Sequence, residues 1–287
     1  MPARDIAAAL LVVVLWGFNF VVMKHAVSEV PPLMLTALRF SLAAVPAILF
    51  VPRPTTSWGV LIAFGTAFGI VKFSLLFLAF QFGMPAGLAS IVLQLHAFFA
   101  VILAVVFYRE VPRPLQWVGL GAAFAGLGVI AAGEVGGVVL VPLLLTVAAA
   151  FAWALATMAV KRAGAIDMLG FAVWISVVPP LPMLALSLIF EGGWAITASL
   201  QGLSLAGIGA ILYLAWPVSL YSTALWSGLL SRYPAAAVAP FSLLVPIIGT
   251  AAGYLVYGET LRVSTLAGGA LILAGLALSV LAVGRQK

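Results

Sequence analysis

The chain has 287 residues, of which 65% are hydrophobic and only 7% charged, with a mean hydropathy of +1.29. So little polar surface cannot cover a water-soluble globule, so the chain is a membrane protein with no room for a soluble domain. The net charge of +6 does not imply nucleic acid, since the basic residues stand singly at the ends of apolar runs, and the absence of cysteine excludes disulfides, iron–sulfur ligation and thiol chemistry.

Runs such as 7–15 and 138–160 are continuously apolar, which excludes the alternating pattern of a β-barrel and predicts an all-α polytopic fold. Ten transmembrane helices are expected at 5–25, 32–51, 58–81, 85–108, 114–132, 138–161, 168–190, 203–229, 234–257 and 263–283. The first follows Arg4 and is too long for a typical signal-peptide core, so it reads as a retained helix. Proline and glycine punctuate the intervals, as at Pro31-Pro32, Pro112-Arg113-Pro114, Gly136-Gly137 and Gly192-Gly193. The side with both termini would collect nine lysines and arginines and the opposite side only Lys24 and Arg262. By the positive-inside rule both termini are cytoplasmic.

The stretch 83–130 is written twice. Shifted by 149 positions it lies on 232–279 without a gap, with identities including Pro85/Pro234, Tyr108/Tyr257, Glu110/Glu259, Arg113/Arg262, Gly119/Gly268 and Gly126/Gly275. Trp16 to Lys24 matches Trp153 to Lys161 in spacing, and Pro46 matches Pro180 under a different shift. Five spans per copy is an odd number, so the second copy enters from the other face. The expected domains are therefore two inverted five-helix repeats, 1–136 and 137–287, with the function where they meet.

Polar residues inside spans are the candidates. Lys72 lies about midway along the third span, where an ionised side chain costs roughly 2.5–3.5 kcal/mol and normally faces a cavity or a partner. Its helical face carries Gly65, Phe68, Gly69, Leu76 and Ala79, small enough in places to leave room for a ligand. Ser90, Gln94 and Phe98 form one stripe on the fourth span; His96, a candidate proton carrier, should point the other way, since two residues turn a helix by about 200°. Trp16, Asn19, Phe20 and Met23 share a face of the first span, Trp153 and Thr157 the matching face of the sixth. The eighth span adds Tyr213, Trp216, Ser219 and Thr223 around Pro217, which frees the carbonyl of Tyr213; Ser242, between Pro240 and Pro246, suggests a bent ninth span. Aromatic stripes serve packing as readily as recognition. Arg39, seven residues past Pro32, is expected to snorkel toward Glu29. Glu110 and Glu259 are expected to fix loops, and the glycine-rich fifth and tenth spans to form a scaffold or a dimer face. No nucleotide-binding loop, metal motif or nucleophile motif is present, so neither an enzyme nor a bound cofactor or metal is expected.

Trp16-Gly17-Phe18-Asn19-Phe20 leading to Lys24, Pro31-Pro32, Ala37-Leu38-Arg39-Phe40, the segment Gly83 to Ser90, and a glutamate closing the fourth span and its copy together resemble the EamA-type members of the drug/metabolite transporter superfamily. The resemblance covers essentially the whole chain and is similar to bacterial inner-membrane exporters of amino acids and their metabolites, including the YddG-like exporters. It implies alternating access around a central cavity walled by spans 1, 3, 4, 6, 8 and 9, but carries over no ligand residue by residue. The expected function is export of amino acids, broad in range and including neutral and aromatic amino acids and related metabolites, by a monomer or homodimer with the lipid bilayer and a small-molecule substrate as partners. The expected substrate residues are Trp16, Asn19, Phe20, Lys72, Leu76, Ser90, Gln94, Phe98, Trp153, Thr157, Tyr213, Trp216, Ser219 and Ser242. A carrier of phosphorylated metabolites or nucleotide sugars would need a second cation converging on Lys72, which Arg39 supplies only if it turns inward. A channel or scaffold without alternating access is the remaining alternative.

Overall fold

The computed structural model describes residues 1–133, 140–161 and 167–284, without the side chains of 235–236 and 281–284. Among the described residues ten helices are long and apolar enough to cross a bilayer. They are span 1 (Ala3–Glu29), span 2 (Pro32–Leu49), span 3 (Trp58–Gln81), span 4 (Ala86–Tyr108) and span 5 (Pro114–Gly133), then span 6 (Leu140–Lys161), span 7 (Met168–Phe190), span 8 (Leu205–Arg232), span 9 (Ala237–Tyr257) and span 10 (Val263–Val280). The expected boundary at 136/137 and the start of span 6 at 138 lie outside the described residues. A short helix, Gly193–Gln201, joins spans 7 and 8 and was not expected; its Trp194 is exposed.

The spans begin where the backbone can be satisfied. Proline opens spans 2 and 5, costing no helical hydrogen bond at that position. Ser57, Asp167 and Ser204 accept from the first free amides of spans 3, 7 and 8. Several spans are interrupted in matched places. Span 2 breaks at Val45-Pro46 and span 7 between Ile175 and Pro180. Span 4 breaks at Leu93-Gln94 and span 9 at Leu243, the same place in the 149 register. Spans 3 and 8 each contain a π-helical stretch, Gly65–Lys72 and Leu214–Tyr221, which the same shift superposes end to end. The 149 register thus reaches one span further upstream in the backbone than in the identities that define it. π-helical turns widen the helix locally and are a recurrent feature of functional segments.

Repeated spans pack against each other antiparallel. A Cβ on Gly119 would fall 2.5 Å from the Gly275 carbonyl oxygen, and one on Gly126 2.4 Å from that of Gly268. Gly119 is the counterpart of Gly268, and Gly126 of Gly275, so each glycine meets the partner of the other, as in a two-fold contact. Spans 4 and 9 also approach closely, with Gly87 against Thr250 and Ser90 against Gly249. The glycine stripes of spans 5 and 10 are therefore used within the chain, where only glycine lets two backbones approach this closely. Large apolar side chains such as Phe50, Leu181, Ile189 and Leu255 are exposed on the outside, while Asn19, Arg39, Lys72 and Gln94 are buried. That distribution suits a bundle whose solvent is lipid.

Candidate substrate site

The two ends of the bundle are fastened differently. Where span 1 ends, three carboxylates each hold the start of a helix from the other half of the chain. Glu259 accepts from the Ala86 and Gly87 amides at 2.8 and 3.0 Å and from Lys24 Nζ at 2.6 Å. Glu191 accepts from the Leu33 and Met34 amides at 2.6 and 3.0 Å, and Glu29 from the Ser204 amide and hydroxyl at 2.9 and 2.7 Å. A carboxylate at a helix N-terminus satisfies free amides and opposes the positive end of the dipole. At the other end, Glu110 pairs with Lys161 alone among the described residues, and both are well exposed, 51% and 38%. The Glu259 side chain by contrast is 9% exposed. Lys24 and Lys161, like Glu259 and Glu110, are counterparts in the duplication, so one ion pair occurs twice, more buried at one end than at the other. Asp5 adds a tie at the same end as Glu110, accepting from Arg232 Nη1 at 3.0 Å and from the Tyr233 hydroxyl at 2.5 Å. The hydrogen bond to this carboxylate holds the Tyr233 phenol above its ordinary range.

Between the ends, Lys72 closes the π-helical stretch of span 3 and is 5% exposed. Its Nζ lies 3.5 Å from the Phe73 ring centre, 4.7 Å from Phe68 and 4.9 Å from Trp153. Cation–π attraction offsets part of the desolvation of the ammonium. Among the described residues no carboxylate pairs with it. Gln94, at the break in span 4, is 8% exposed and makes no side-chain cap to the helix that follows. Leu76, Phe20 and Phe98 are buried.

Several residues differ from expectation. Gly65 and Gly69 leave no room for a ligand, because Val178 and Pro179 from the break in span 7 fill the space: added Cβ atoms would meet them at 2.6 and 2.3 Å. The group around Lys72 is consequently sealed by rings, not solvent-reached, in this conformation. His96 does not point away from the site. Its ring stacks on Trp153 with centres 3.8 Å apart, because the break at Leu93-Gln94 resets the helical phase, and Nδ1 lies 2.9 Å from the Leu93 carbonyl oxygen. Arg39 turns inward, 3% exposed, while Glu29 is taken by Ser204 and His25. Its Nη2 donates to Ser219 Oγ at 3.2 Å, Nη1 lies 3.9 Å from Met23 Sδ, and its Cζ is 4.0 Å from the Phe73 ring centre. Seven residues of helix put Arg39 about 10 Å below Pro32, a depth that could have flagged it.

Other expected residues are engaged in packing. Ser90 donates to the Gly87 carbonyl at 2.7 Å, Thr157 to Trp153 O at 3.0 Å and Ser242 to Ala239 O at 2.7 Å. Trp16 donates to Ser222 Oγ at 2.7 Å and stacks obliquely on Trp226. Tyr213 donates to Leu15 O at 2.8 Å. Near Pro217 it is the Leu214 carbonyl, not that of Tyr213, that receives a hydroxyl, from Ser219 at 2.8 Å. Trp216 lies away from the centre: 42% exposed, it donates to Leu42 O and borders a side groove formed with Leu11, Leu15, Pro217 and Tyr221. Asn19 holds Met23 Sδ at 3.7 Å through Nδ2, and its Oδ1 is buried without a partner. Asn19, Met23, Arg39, Phe73, Lys72, Trp153 and His96 thus form one contiguous group drawn from spans 1, 2, 3, 4 and 6.

A ten-span duplicated bundle with a buried cationic group at its centre agrees with the family that matches its sequence, the EamA-like transporter family, over residues 4–132 and 140–281. The chain belongs to that family. A protein of Salmonella typhimurium named a probable amino-acid metabolite efflux pump is 41% identical over 286 residues, covering 98% of this chain and 96% of that protein. An Escherichia coli protein of the same name is 37% identical over 293 residues, covering 100% and 98%. One solved crystal structure shares the fold with a TM-score of 0.58 at 18% identity over the whole of both chains. The protein is accordingly a multi-pass membrane transporter.

Proposed function

We propose that this EamA-family transporter exports amino acids and their metabolites across the bacterial inner membrane, from cytoplasm to periplasm, with both termini cytoplasmic. Its halves, 1–136 and 137–287, are inverted repeats that rock about the group around Lys72, so that each end of the bundle opens in turn. Facilitated diffusion down an outward gradient suffices, and His96 is held by stacking without serving as a proton relay. The names of the two relatives support the cargo class. The observation that carries the reading is a lysine ammonium at mid-depth, enclosed by three aromatic rings and lacking a carboxylate, in the span packed against the other half. An amino-acid carboxylate would neutralise that charge while its side chain packs on the rings. On this reading the end fastened by Glu259, Glu191 and Glu29 is the periplasmic one, and these contacts would keep it shut.

The test is efflux from proteoliposomes loaded with an amino-acid panel, comparing the parent with Lys72→Met. The proposal expects at least a tenfold loss across substrates; unchanged efflux would remove Lys72 from the site.

A further inference from the structure

Arg39 and Lys72 both contact the Phe73 ring. Both cationic groups stand against the Phe73 ring, at 4.0 and 3.5 Å from its centre, so they lie no farther apart than those two distances together. Both side chains are more than nine-tenths buried, and no carboxylate among the described residues pairs with either. Arg39 Nε has no hydrogen-bond partner, and next to it, across Met23, the buried Asn19 Oδ1 is also unanswered. A fold that brings two cations together in an apolar interior leaves a strong demand for negative charge, because neither lipid nor protein supplies it. A neutral amino acid answers that demand poorly, because its single carboxylate serves one cation and leaves the other unanswered.

We propose that Arg39 and Lys72 form a single site for a small organic molecule with two carboxylate groups, and that Asn19 Oδ1 accepts from an N–H of the same molecule. The cargo class is therefore acidic amino acids and their N-acylated derivatives, in preference to neutral amino acids. This rests on the transport reading above and narrows it. Arg39 presents a planar fork to one carboxylate, and Lys72 provides a point charge for the other. A phosphomonoester could supply the same two charges, and the panel below includes one to tell the sources apart.

The experiment is exchange by the full chain in proteoliposomes, with radiolabelled glutamate or glutamine inside and each unlabelled compound of a panel outside. The panel pairs glutamate with glutamine and aspartate with asparagine, and adds N-acetylglutamate, N-acetylglutamine and phosphoserine. The proposal expects glutamate and N-acetylglutamate to exchange at least tenfold faster than their amides. Arg39→Gln should bring that ratio close to one, and Lys72→Gln should do the same. Equal or faster exchange of the amides by the parent chain overturns it, as does an undiminished ratio in Arg39→Gln. Phosphoserine exceeding every dicarboxylate would assign the site to phosphorylated cargo and overturn the dicarboxylate assignment. If glutamine exchanges well and glutamate does not, only this inference falls; if nothing exchanges through folded protein, the transport reading falls with it. Should Arg39→Gln fail to fold, thermal stabilisation of the detergent-purified parent by glutamate over glutamine decides, and its absence counts against the site.

Discussion

Replacing Glu259 by glutamine should unlock the end of the bundle where span 1 finishes. The carboxylate there is 9% exposed and serves three donors: the Ala86 amide at 2.8 Å, the Gly87 amide at 3.0 Å and the Lys24 ammonium at 2.6 Å. Glutamine keeps one acceptor oxygen but must turn an NH2 group toward one of those donors. It loses the charge assistance on both amides and leaves Lys24, 26% exposed, without its counterion. A hydrogen bond to a charged group contributes roughly 1.5–3 kcal/mol and a neutral one roughly 0.5–1.5, while the ion pair is discounted for its partly exposed lysine. The net loss comes to about 2–4 kcal/mol, which at roughly 1.4 kcal/mol per decade shifts the closed-to-open ratio by about 30- to 1000-fold. The natural chain has no cysteine, so one introduced thiol reports alone. Leu76→Cys is suited to this, being fully buried on span 3 between Lys72 and that end. Labelling by a membrane-impermeant maleimide from that side should be slow with Glu259 present and at least tenfold faster with Glu259→Gln. An unchanged labelling rate in folded protein would refute the reasoning that this clasp holds the end shut.

The counterpart pair should matter far less: Glu110→Gln removes an exposed ion pair with Lys161, expected to contribute about 0–1 kcal/mol, and should leave labelling of the same thiol within a few-fold. In the contact of spans 5 and 10, Gly126→Ala places a methyl 2.4 Å from the Gly268 carbonyl oxygen, whereas at Gly128 an added methyl meets nothing within 4 Å. Gly126→Ala should cost about 1–3 kcal/mol and visibly lower the melting temperature in detergent, with Gly128→Ala neutral or slightly stabilising; equal melting would contradict the packing. Asp5→Asn removes the carboxylate that raises the Tyr233 phenol, so the phenol should ionise at lower pH, read by ultraviolet difference titration against Tyr233→Phe.

How much was legible follows from which physical rule governed each part. Span positions were readable because hydrocarbon thickness and the cost of bare amides leave few solutions, and prolines and glycines mark the joints. Duplicated glutamates could be foreseen as loop-fixing groups, but not that Glu259 would reach Lys24 and the start of span 4 in the other half. Helical phase was the weak point. The break at Leu93-Gln94 places His96 on Trp153, and span 3 is π-helical up to Lys72, so ideal 3.6-residue arithmetic misassigned one side chain. Gly65 and Gly69 were read as space because the sequence cannot say that Val178 and Pro179, more than a hundred residues away, would fill it. Arg39 was misplaced by a general habit of arginines near membrane interfaces. Its inward course depends on Ser219, Met23 and Phe73 arriving from three other spans.

The central claim, that one site is exposed to the two sides in turn, is tested most directly by counterflow. Liposomes containing the purified protein are loaded with a high concentration of unlabelled amino acid and diluted into a trace of the same labelled compound. The account predicts that label accumulates transiently inside, driven by exit of the unlabelled compound through the same carrier. Label that only equilibrates, at a rate indifferent to what the vesicles contain, would mean a pore and would contradict it.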